Sequence, residues 1–298
     1  AYNDALLWAE VRIQRYANVQ VGLAHAPYEL ITDLYKAQQV VNSLHGKLYA
    51  IDYETTPDQG IFAVALADEQ MAWLLYGPAL AALPAVRELL TDPTSTGIAH
   101  SAIYEYKVTA LNSAGTLDPC DMVPLHDTRI MNWILDNKPG SNRLKPLVRR
   151  LLGRDALDFN QVVPNGDITV VPPDILAIYA AAGDARNTYD LYKILEKRLH
   201  NENLWDIYNN IERPLTPVLA EMEMAKLPLN LKILGGIYTT ELTKEQQLES
   251  AIRYLGFTGS LSSSDQFAAW IYGVLGLPML KKTATGRGAT DKHTLENL

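Results

Sequence analysis

Two acidic side chains, Asp52 and Glu54, are separated by one residue in a short apolar run that follows Lys47. On a β-strand successive side chains point to opposite faces, so Asp52 and Glu54 would share one face while Tyr53 points away. Adjacent carboxylates repel each other unless they are exposed, protonated or bound to cations. The apolar neighbours favour a divalent cation as the partner, although two solvated acids at a strand end would show the same pattern.

Two further acids occur in segments that an α/β fold can bring to the same edge of a sheet. Glu105 lies near the start of a predicted helix that follows a predicted strand at 97–99, and Asp184 lies within a helix predicted to begin at Pro172. Four carboxylates from three segments could hold two metal ions about 3.5–4 Å apart. Such a pair suits phosphodiester hydrolysis, because one ion prepares the hydroxide and the other stabilises the leaving 3′ oxygen. The spacing alone does not establish that the four acids converge.

The elements that would position these acids follow from the pattern of apolar and turn residues. Turn-forming residues at 56–60 predict a hairpin between the first two strands. Strands followed mainly by helices predict an α/β domain, and long helices follow after Asn203. The predicted strands are 47–54, 60–66, 71–76 and 97–99, and the predicted helices are 80–90, 103–114, 127–136, 143–152, 172–199, 204–227, 231–255 and 265–276.

The composition limits the possible classes of protein. The 298 residues are 48% hydrophobic and 20% charged, which suits a soluble globular protein of about two domains. The sequence shows no apolar run of membrane-spanning length and no secretory signal, so we expect a cytoplasmic protein; the single cysteine, Cys120, agrees with a reducing compartment. The net charge of −8 argues against a stand-alone nucleic-acid binder, but not against an enzyme that recruits positive charge as metal.

An ordered series of motifs resembles the 3′–5′ exonuclease domain of family-A, DNA polymerase I-like polymerases. The series consists of YAIDYETT at 49–56, GIAHSAIYEYKV at 97–108, HDTR at 126–129 and YAAAGDARNT at 179–188. The segment IERPLTPVLAEME at 211–223 resembles the opening of the polymerase region, and the segments at 261–267 and 275–278 resemble the thumb that follows. The order of these motifs is far more specific than any one of them. The sequence holds no palm or fingers motif, so the resemblance implies no polymerase activity for this chain alone.

The resemblance implies a fold and a domain order. The fold would be α/β, an RNase H-like 3′–5′ exonuclease domain with a mixed β-sheet flanked by helices, followed by an all-α segment. Residues 1–46 would form an N-terminal helical extension, 47–203 the exonuclease domain, and 204–298 the incomplete start of the polymerase domain with its thumb helices. A bacterial or bacteriophage source would fit the family.

The resemblance also implies the roles of individual residues and the partners. The implied metal ligands, for two Mg²⁺ or Mn²⁺ ions, are Asp52, Glu54, Glu105 and Asp184. Tyr179 would orient the attacking water, and the residues near the terminal nucleotide would be Thr55, Ser101 and Tyr104. The partners would be the single-stranded 3′ end of DNA and the remaining polymerase domain, in the same chain or in a separate one, without a membrane.

Three positions depart from the family pattern. Glu105 replaces an aspartate, which displaces the carboxylate by about one C–C bond, and Ser101 replaces an asparagine. Tyr179 precedes Asp184 by five residues instead of four. On an α-helix, side chains four residues apart differ by about 40° and those five apart by about 140°. Either a π-bulge near Gly183 corrects this angle, or Tyr179 is only an aromatic residue of the core.

Three hypotheses follow for the function. The first is an active metal-dependent exonuclease that releases nucleotides from DNA 3′ ends. The second is a degenerate, non-catalytic exonuclease fold that serves as a scaffold or 3′-end binding module of a split or truncated polymerase, and the three departures motivate it. The third is an RNase D-like exoribonuclease, against which the segment at 211–223 argues. We expect His100 and His126 to be hydrogen-bonded structural residues and Asp127 to be a helix N-cap.

Overall fold

A computed structural model describes residues 27–138 and 142–298. Residues 28–127 contribute a mixed six-stranded sheet in the order β1-β4-β3-β2-β5-β6, in which β3 is antiparallel to both neighbours and the remaining pairs are parallel. The predicted mixed sheet flanked by helices is therefore confirmed. The strands are β1 (Tyr28–Ile31), β2 (Leu48–Thr55), β3 (Ile61–Ala67), β4 (Ala72–Tyr76), β5 (Thr96–Ala99) and β6 (His126–Asp127).

Helices within residues 27–226 cover both faces of the sheet, and several helices of the chain contain π-helical turns. The α-helices are α1 (Leu34–Ser43), α2 (Pro78–Ala81), α3 (Pro84–Thr91), α4 (Ala102–Leu111), α5 (Thr128–Leu135), α6 (Leu144–Leu147), α7 (Phe159–Val162), α8 (Pro173–Leu176), α9 (Arg186–Asn201), α10 (Trp205–Ile207), α11 (Arg213–Ala225), α12 (Leu231–Tyr254), α13 (Ser264–Ala268) and α14 (Lys292–Leu295). The π-helical segments are Val148–Leu152, Ala177–Ala185, Tyr208–Glu212 and Ala269–Val274.

The central strand β2 is buried on both faces, and its side chains alternate between two cores. Ala50 belongs to the core beneath α8 and α9, whereas Ile51 and Tyr53 belong to the core beneath α1, α3 and α4. This alternation directs Asp52, together with Ala50, toward the face covered by the helices that carry Asp184. The predicted hairpin is confirmed, because β2 pairs with β3 through the turn that Thr56 closes onto Gly60.

The expectation that residues 1–46 are helical is wrong for Tyr28–Ile31 and is confirmed for Leu34–Ser43, which forms α1. Tyr28–Ile31 forms strand β1, which pairs in parallel with β4 at one edge of the sheet. The apolar pairs 30–31 and 34–35 match helical spacing. The helix nevertheless begins only after the strand, because Asp33 is its N-cap and accepts a hydrogen bond from the Lys36 backbone N–H. The other part of this prediction, residues 1–26, lies outside the described residues.

The chain divides into two compact units, the first ending at Lys226 and the second covering Leu227–Leu298. Residues 204–226 therefore pack with the first unit, although the sequence analysis grouped them with the thumb helices; Ala220 of α11 lies in the same core as Tyr106 of α4. The proposed domain boundaries at 46/47 and 203/204 stay a prediction. Within the second unit, α12 buries none of its residues, and a small core forms around Phe257, Trp270 and Ile271. Among the described helices, none is long and apolar enough to cross a membrane.

Candidate active site at the end of the central strand

The acidic cluster, by which we mean Asp52, Glu54, Glu105 and Asp184, begins where β2 extends past its parallel neighbour β5. The last residue pair between β2 and β5 is Ala50 with Ile98, so the strand continues for five residues beyond it. Glu54, in this extension, is only 7% exposed. The pairing register of β2 with β3 shifts between Glu54 and Thr55. This is a β-bulge, and such bulges often redirect side chains beside functional sites.

Glu105 reaches this extension from α4, which starts directly after β5. Its side chain is 2% exposed, and its carboxylate accepts a hydrogen bond of 3.1 Å from the backbone N–H of Tyr53. The structure therefore brings the predicted second-motif acid to the Asp52–Glu54 strand. Ser101, the residue before α4, has a φ of 77°, a left-handed conformation that is uncommon for serine and clusters at functional sites.

Asp127 holds the start of α4 and the start of α5 together. One of its carboxylate oxygens accepts from the backbone N–H of Ser101 at 3.0 Å and of Arg129 at 2.8 Å, and the other accepts from Ala102 at 2.8 Å. A longer bond of 3.4 Å comes from Ile130. The predicted N-cap is confirmed, but Asp127 also caps the helix that carries Glu105.

The two histidines are hydrogen-bonded structural residues, as expected. The His100 ring lies 2.8 Å from the Thr128 hydroxyl, and the His126 ring lies 3.2 Å from the Tyr208 hydroxyl. Burial lowers the pKa of each imidazole to about 3, so both are neutral at physiological pH. The Tyr208 oxygen also accepts from the Asp127 backbone N–H at 2.9 Å, which ties β6 to a segment that follows α9.

Asp184 and Tyr179 lie in the π-helical segment Ala177–Ala185, between α8 and α9. A π-helix bonds residue i to i+5, so residues five apart take the neighbouring positions that residues four apart take in an α-helix. The π-bulge alternative for the five-residue spacing is therefore confirmed, and both side chains are at least nine-tenths buried, with 6% and 7% exposed. The catalytic role of Tyr179 stays a prediction.

Gly183 provides a test of this π-helical register. A Cβ on Gly183 would lie 3.1 Å from the carbonyl oxygen of Ile178, its i−5 neighbour, which is tighter than an ordinary contact. We expect Gly183→Ala to lower the free energy of unfolding by about 1 kcal/mol, although alanine normally stabilises helices relative to glycine. Chemical denaturation of the full chain would measure the change.

The matched control is Gly235→Ala in α12, where no atom of the described residues outside the adjacent helix backbone lies within 4 Å of the position that the alanine Cβ would take. There the ordinary propensity difference should raise the stability of the helix by about 0.5–1 kcal/mol. Equal stabilisation by both substitutions would show that the π-helical register does not constrain Gly183.

The sequence analysis missed Lys145, a cation within the acidic cluster. Its ammonium group forms an ion pair with the Asp184 carboxylate and lies 4.5 Å from the centre of the Tyr179 ring. The Lys145 side chain is 13% exposed. Burial lowers its pKa to about 8, while the charges of Asp52 and Glu54 oppose that decrease. The sequence position of Lys145, 39 residues before Asp184, gives no sign of this contact.

The carboxyl groups of the cluster interact strongly through their charges. Burial raises the pKa of Asp52 to about 6, and the Lys145 charge limits the increase. Burial and then the charge of Asp52 raise the pKa of Glu54 well above its usual range. The same two causes raise the pKa of Glu105, although its bond from Tyr53 acts in the opposite direction. No described residue donates a hydrogen bond to Asp52 or Glu54, so these acids retain free lone pairs.

The carboxylates are the type of ligand that binds a divalent cation, but the distances between them do not form a metal site. Buried carboxylates without hydrogen-bond donors are the ligands that Mg²⁺ and Mn²⁺ prefer. Within residues 27–138 and 142–298, however, no three histidine, cysteine, aspartate or glutamate side chains lie close enough to hold one metal ion. The arrangement therefore brings together the charges of Asp52, Glu54 and Glu105 but holds Asp184 on Lys145.

A groove of about 740 Å³ lies along α4 and α5, and its lining includes none of the four predicted acidic ligands. The predicted substrate residues lie at or near it: the Tyr104 hydroxyl is 2.5 Å from that of Thr55, and the Ser101 hydroxyl accepts from Arg129 at 3.2 Å. Trp133, whose side chain is half exposed, also lines the groove, and sequence analysis did not identify it. The other residues lining the groove are Ile103, Lys107, Asp127, Ile130, Asn142, Arg143, Glu212 and Glu223.

Solved structures of several nucleases share this fold. RNase D of Escherichia coli, an exoribonuclease involved in structured RNA processing, superposes with a TM-score of 0.53 at 19% identity, covering 65% of this chain and 50% of that one. NrnC of Brucella melitensis superposes with a TM-score of 0.52 at 18% identity, covering 69% of this chain and 98% of that one. At these identities the likeness shows the fold alone, and it is the expected RNase H-like exonuclease fold.

Sequence comparisons agree on a single family. DNA polymerase I of Rhizobium leguminosarum is 30% identical over 237 residues, covering 78% of this chain and 22% of that protein. DNA polymerase I of Treponema pallidum is 28% identical over 246 residues, covering 82% of this chain and 24% of that protein. The chain thus spans about a quarter or less of the length of these relatives. The 3′–5′ exonuclease model of family-A DNA polymerases matches residues 28–200, and this chain therefore belongs to that exonuclease family.

Proposed function

We propose that this chain is the proofreading part of a family-A DNA polymerase, a metal-dependent nuclease that hydrolyses the terminal phosphodiester at single-stranded or frayed DNA 3′ ends. The observation that carries the proposal is the group of Asp52, Glu54 and Glu105, whose carboxyl groups lie close enough to raise one another's pKa values. Buried acids with strongly perturbed pKa values in a cleft are typical of catalytic sites. The family membership supports nuclease chemistry at this cluster.

The proposed ligands of Mg²⁺ or Mn²⁺ are Asp52, Glu54, Glu105 and Asp184. Bound metal ions would supply Lewis-acid activation of water and neutralise charge on the phosphoryl group. Tyr179 lies beside Asp184, and burial together with the charges of Glu54 and Asp52 raises its pKa, so its hydroxyl stays protonated and can orient a water molecule. One carboxylate oxygen of Asp184, Oδ1, is held in the ion pair with Lys145.

The groove offers contacts for a nucleic-acid strand. Tyr104 and Trp133 present aromatic surface, and base stacking on such side chains contributes about 1–3 kcal/mol per base without requiring a particular sequence. Arg129 and Arg143 can contact phosphate groups along the same path. The terminal nucleotide would then lie near Thr55 and Ser101, at the end of β2 and the start of α4.

The rest of a polymerase is the proposed partner. The chain covers at most 24% of the two DNA polymerase I relatives named above. The polymerase-like segment at 211–223 lies in the described structure as part of the π-helical segment Tyr208–Glu212 and α11. We propose that residues 204–298 begin the polymerase domain and that its remainder acts in the same chain or as a separate one. The proposed setting is the cytoplasm of a bacterial or phage-infected cell.

Incubation with a labelled single-stranded DNA tests the proposed function. With Mg²⁺ or Mn²⁺ present, we expect progressive shortening from the 3′ end and release of nucleoside 5′-monophosphates, and EDTA should stop it. The Asp52→Ala variant should lose this activity, since it removes the central acid of the cluster. Equal shortening by the wild type and by Asp52→Ala would assign the activity to a contaminant and contradict the proposal.

A non-catalytic scaffold is the second candidate, and the Lys145–Asp184 ion pair is the observation that favours it. A scaffold should bind labelled DNA without shortening it in any divalent metal. The RNase D-like alternative is tested in the same assay with an RNA of identical sequence. Preferential shortening of RNA would favour that alternative over the proofreading function.

A further inference from the structure

Lys145 is the one feature of the acidic cluster that neither the motifs nor the proposed chemistry uses. It projects from the four-residue helix α6 into the space between the end of β2 and the π-helical segment. Its ammonium group contacts the Asp184 carboxylate, lies 4.5 Å from the centre of the Tyr179 ring, and attracts the charges of Asp52 and Glu54. A single positive charge thus stands among three of the four acids.

The local electrostatics favour a cation at this position. Asp52 and Glu54 are partly or fully buried, repel each other, and receive no hydrogen bond from any described residue. A buried carboxylate without a donor is unfavourable unless a positive charge lies nearby. Lys145 supplies that charge from within the chain, because its flexible stem carries an ammonium group into a site of low exposure.

A small cavity lies beside the Lys145–Asp184 ion pair. The cavity lined by Lys145, Tyr179, Gly183 and Asp184 has a volume of about 10 Å³. This is about the space that one water molecule needs. The ammonium group already occupies one Asp184 carboxylate oxygen, Oδ1, so a divalent ion that binds this oxygen must take the place of the ammonium group.

We propose that Lys145 is the resident counter-ion of the acidic cluster and competes with a divalent cation for Asp184, so that metal binding requires the ammonium group to leave. The inference rests on the proposed function, since it concerns the same acids. It explains why the four acids do not form a metal site while the Lys145–Asp184 pair is closed. It also predicts that the chain binds metal less tightly than the acids alone would.

The direct test is calorimetric titration of the full chain with Mn²⁺ in the absence of nucleic acid. We expect K145M, which keeps the length of the side chain without its charge, to bind Mn²⁺ about tenfold more tightly than the wild type. The matched control is K193M, at an exposed lysine of α9, which should bind like the wild type. Combining K145M with Asp184→Asn should abolish the gain, because the competition is for that carboxylate.

Equal or weaker Mn²⁺ binding by K145M, or no binding by either protein, would overturn the inference. If K145M does not fold, the wild type can be followed by NMR of ¹⁵N-labelled lysine side chains, with K145R used to assign the Lys145 signal. Addition of Mg²⁺ should then shift the Lys145 signal. Binding of Mg²⁺ without any shift of that signal would contradict the inference.

The inference and the proposed function fail in different ways. Tighter Mn²⁺ binding by K145M without shortening of DNA by the wild type would support the counter-ion role of Lys145 and contradict the proposed nuclease function. Shortening of DNA by the wild type with no change of Mn²⁺ affinity in K145M would support the proposed nuclease function and contradict the counter-ion role of Lys145.

Discussion

Replacing Asp127 with alanine is expected to lower the free energy of unfolding by about 2–4 kcal/mol and to reduce exonuclease activity at the same time. Asp127 is 3% exposed, and its carboxylate accepts hydrogen bonds from four backbone N–H groups at the starts of α4 and α5. Loss of one helix cap costs about 1 kcal/mol, and buried donors left without a partner add to that cost. Urea denaturation and the single-strand shortening assay would measure the two effects.

The activity is expected to fall because α4 carries Glu105. Without its cap the first turn of α4 can shift, and the 3.1 Å bond from Tyr53 to the Glu105 carboxylate depends on that turn. A displacement of about 1 Å at a catalytic group can reduce the rate by roughly a hundredfold. Asp127→Asn keeps an acceptor oxygen, so its effects on stability and activity should be intermediate.

Asp33→Ala is the matched control for Asp127. Asp33 caps a single helix, α1, by accepting from the Lys36 backbone N–H at 2.8 Å, and it is exposed. Its replacement should cost about 1 kcal/mol at most and leave the activity unchanged. If Asp127→Ala and Asp33→Ala were equally mild, Asp127 would not act as a shared cap of two helices.

The second large effect is expected for Asp52→Asn, which should abolish activity yet stabilise the metal-free protein near neutral pH. Activity should fall by roughly a hundredfold or more, because the acid at the centre of the cluster is lost. Stability should rise because ionised Asp52 is disfavoured in the folded state. Burial raises its pKa from 3.8 to about 6, against the attraction of Lys145.

The sign of the pH dependence follows from that increase. A carboxyl group with a higher pKa in the folded state binds its proton more tightly there, so its contribution to stability is fully present below pH 3.8 and is lost as the pH rises through about 6. In EDTA, the stability of Asp52→Asn relative to the wild type should therefore increase between pH 4 and pH 7. The increase should reach about 1–3 kcal/mol, since Asp52 keeps some contact with water.

Urea unfolding of both proteins across that pH range in EDTA would measure the difference. Asp265→Asn serves as a control, because Asp265 is an exposed acid of the second unit and its relative stability should not follow the same curve. A constant difference between Asp52→Asn and the wild type from pH 4 to pH 7 would show that Asp52 is not desolvated in the folded chain.

Much of the fold could be predicted from local patterns. The apolar runs and the turn at 56–60 indicated strands β2 and β3, and the alternation along β2 placed Asp52 and Glu54 on one face. The five-residue spacing of Tyr179 and Asp184 restricted the helix to two geometries, of which the π-helix is the one found. These features depend on neighbouring residues in the chain, and local periodicity and sterics therefore determine them.

Other features could not be predicted, because they depend on contacts between distant segments. Strand β1 has only four residues and gains its hydrogen bonds from β4, so its apolar pattern matched a helix equally well. The double capping by Asp127 joins helices whose starts meet only after β5 and β6 pair. Lys145 resembles any surface lysine of a short helix until the fold brings α6 against Asp184.

The sequence by itself therefore determined the family, the order of the motifs, and the identity of the acids that could do chemistry. Only the tertiary structure decided that Glu105 reaches β2, that Asp184 carries a lysine counter-ion, and that a groove with Trp133 lies alongside. The physical reason is that the two kinds of feature depend on residues at different separations along the chain. Side-chain alternation and helical periodicity are properties of adjacent residues, whereas burial, charge coupling and ion pairing depend on which distant segments come together.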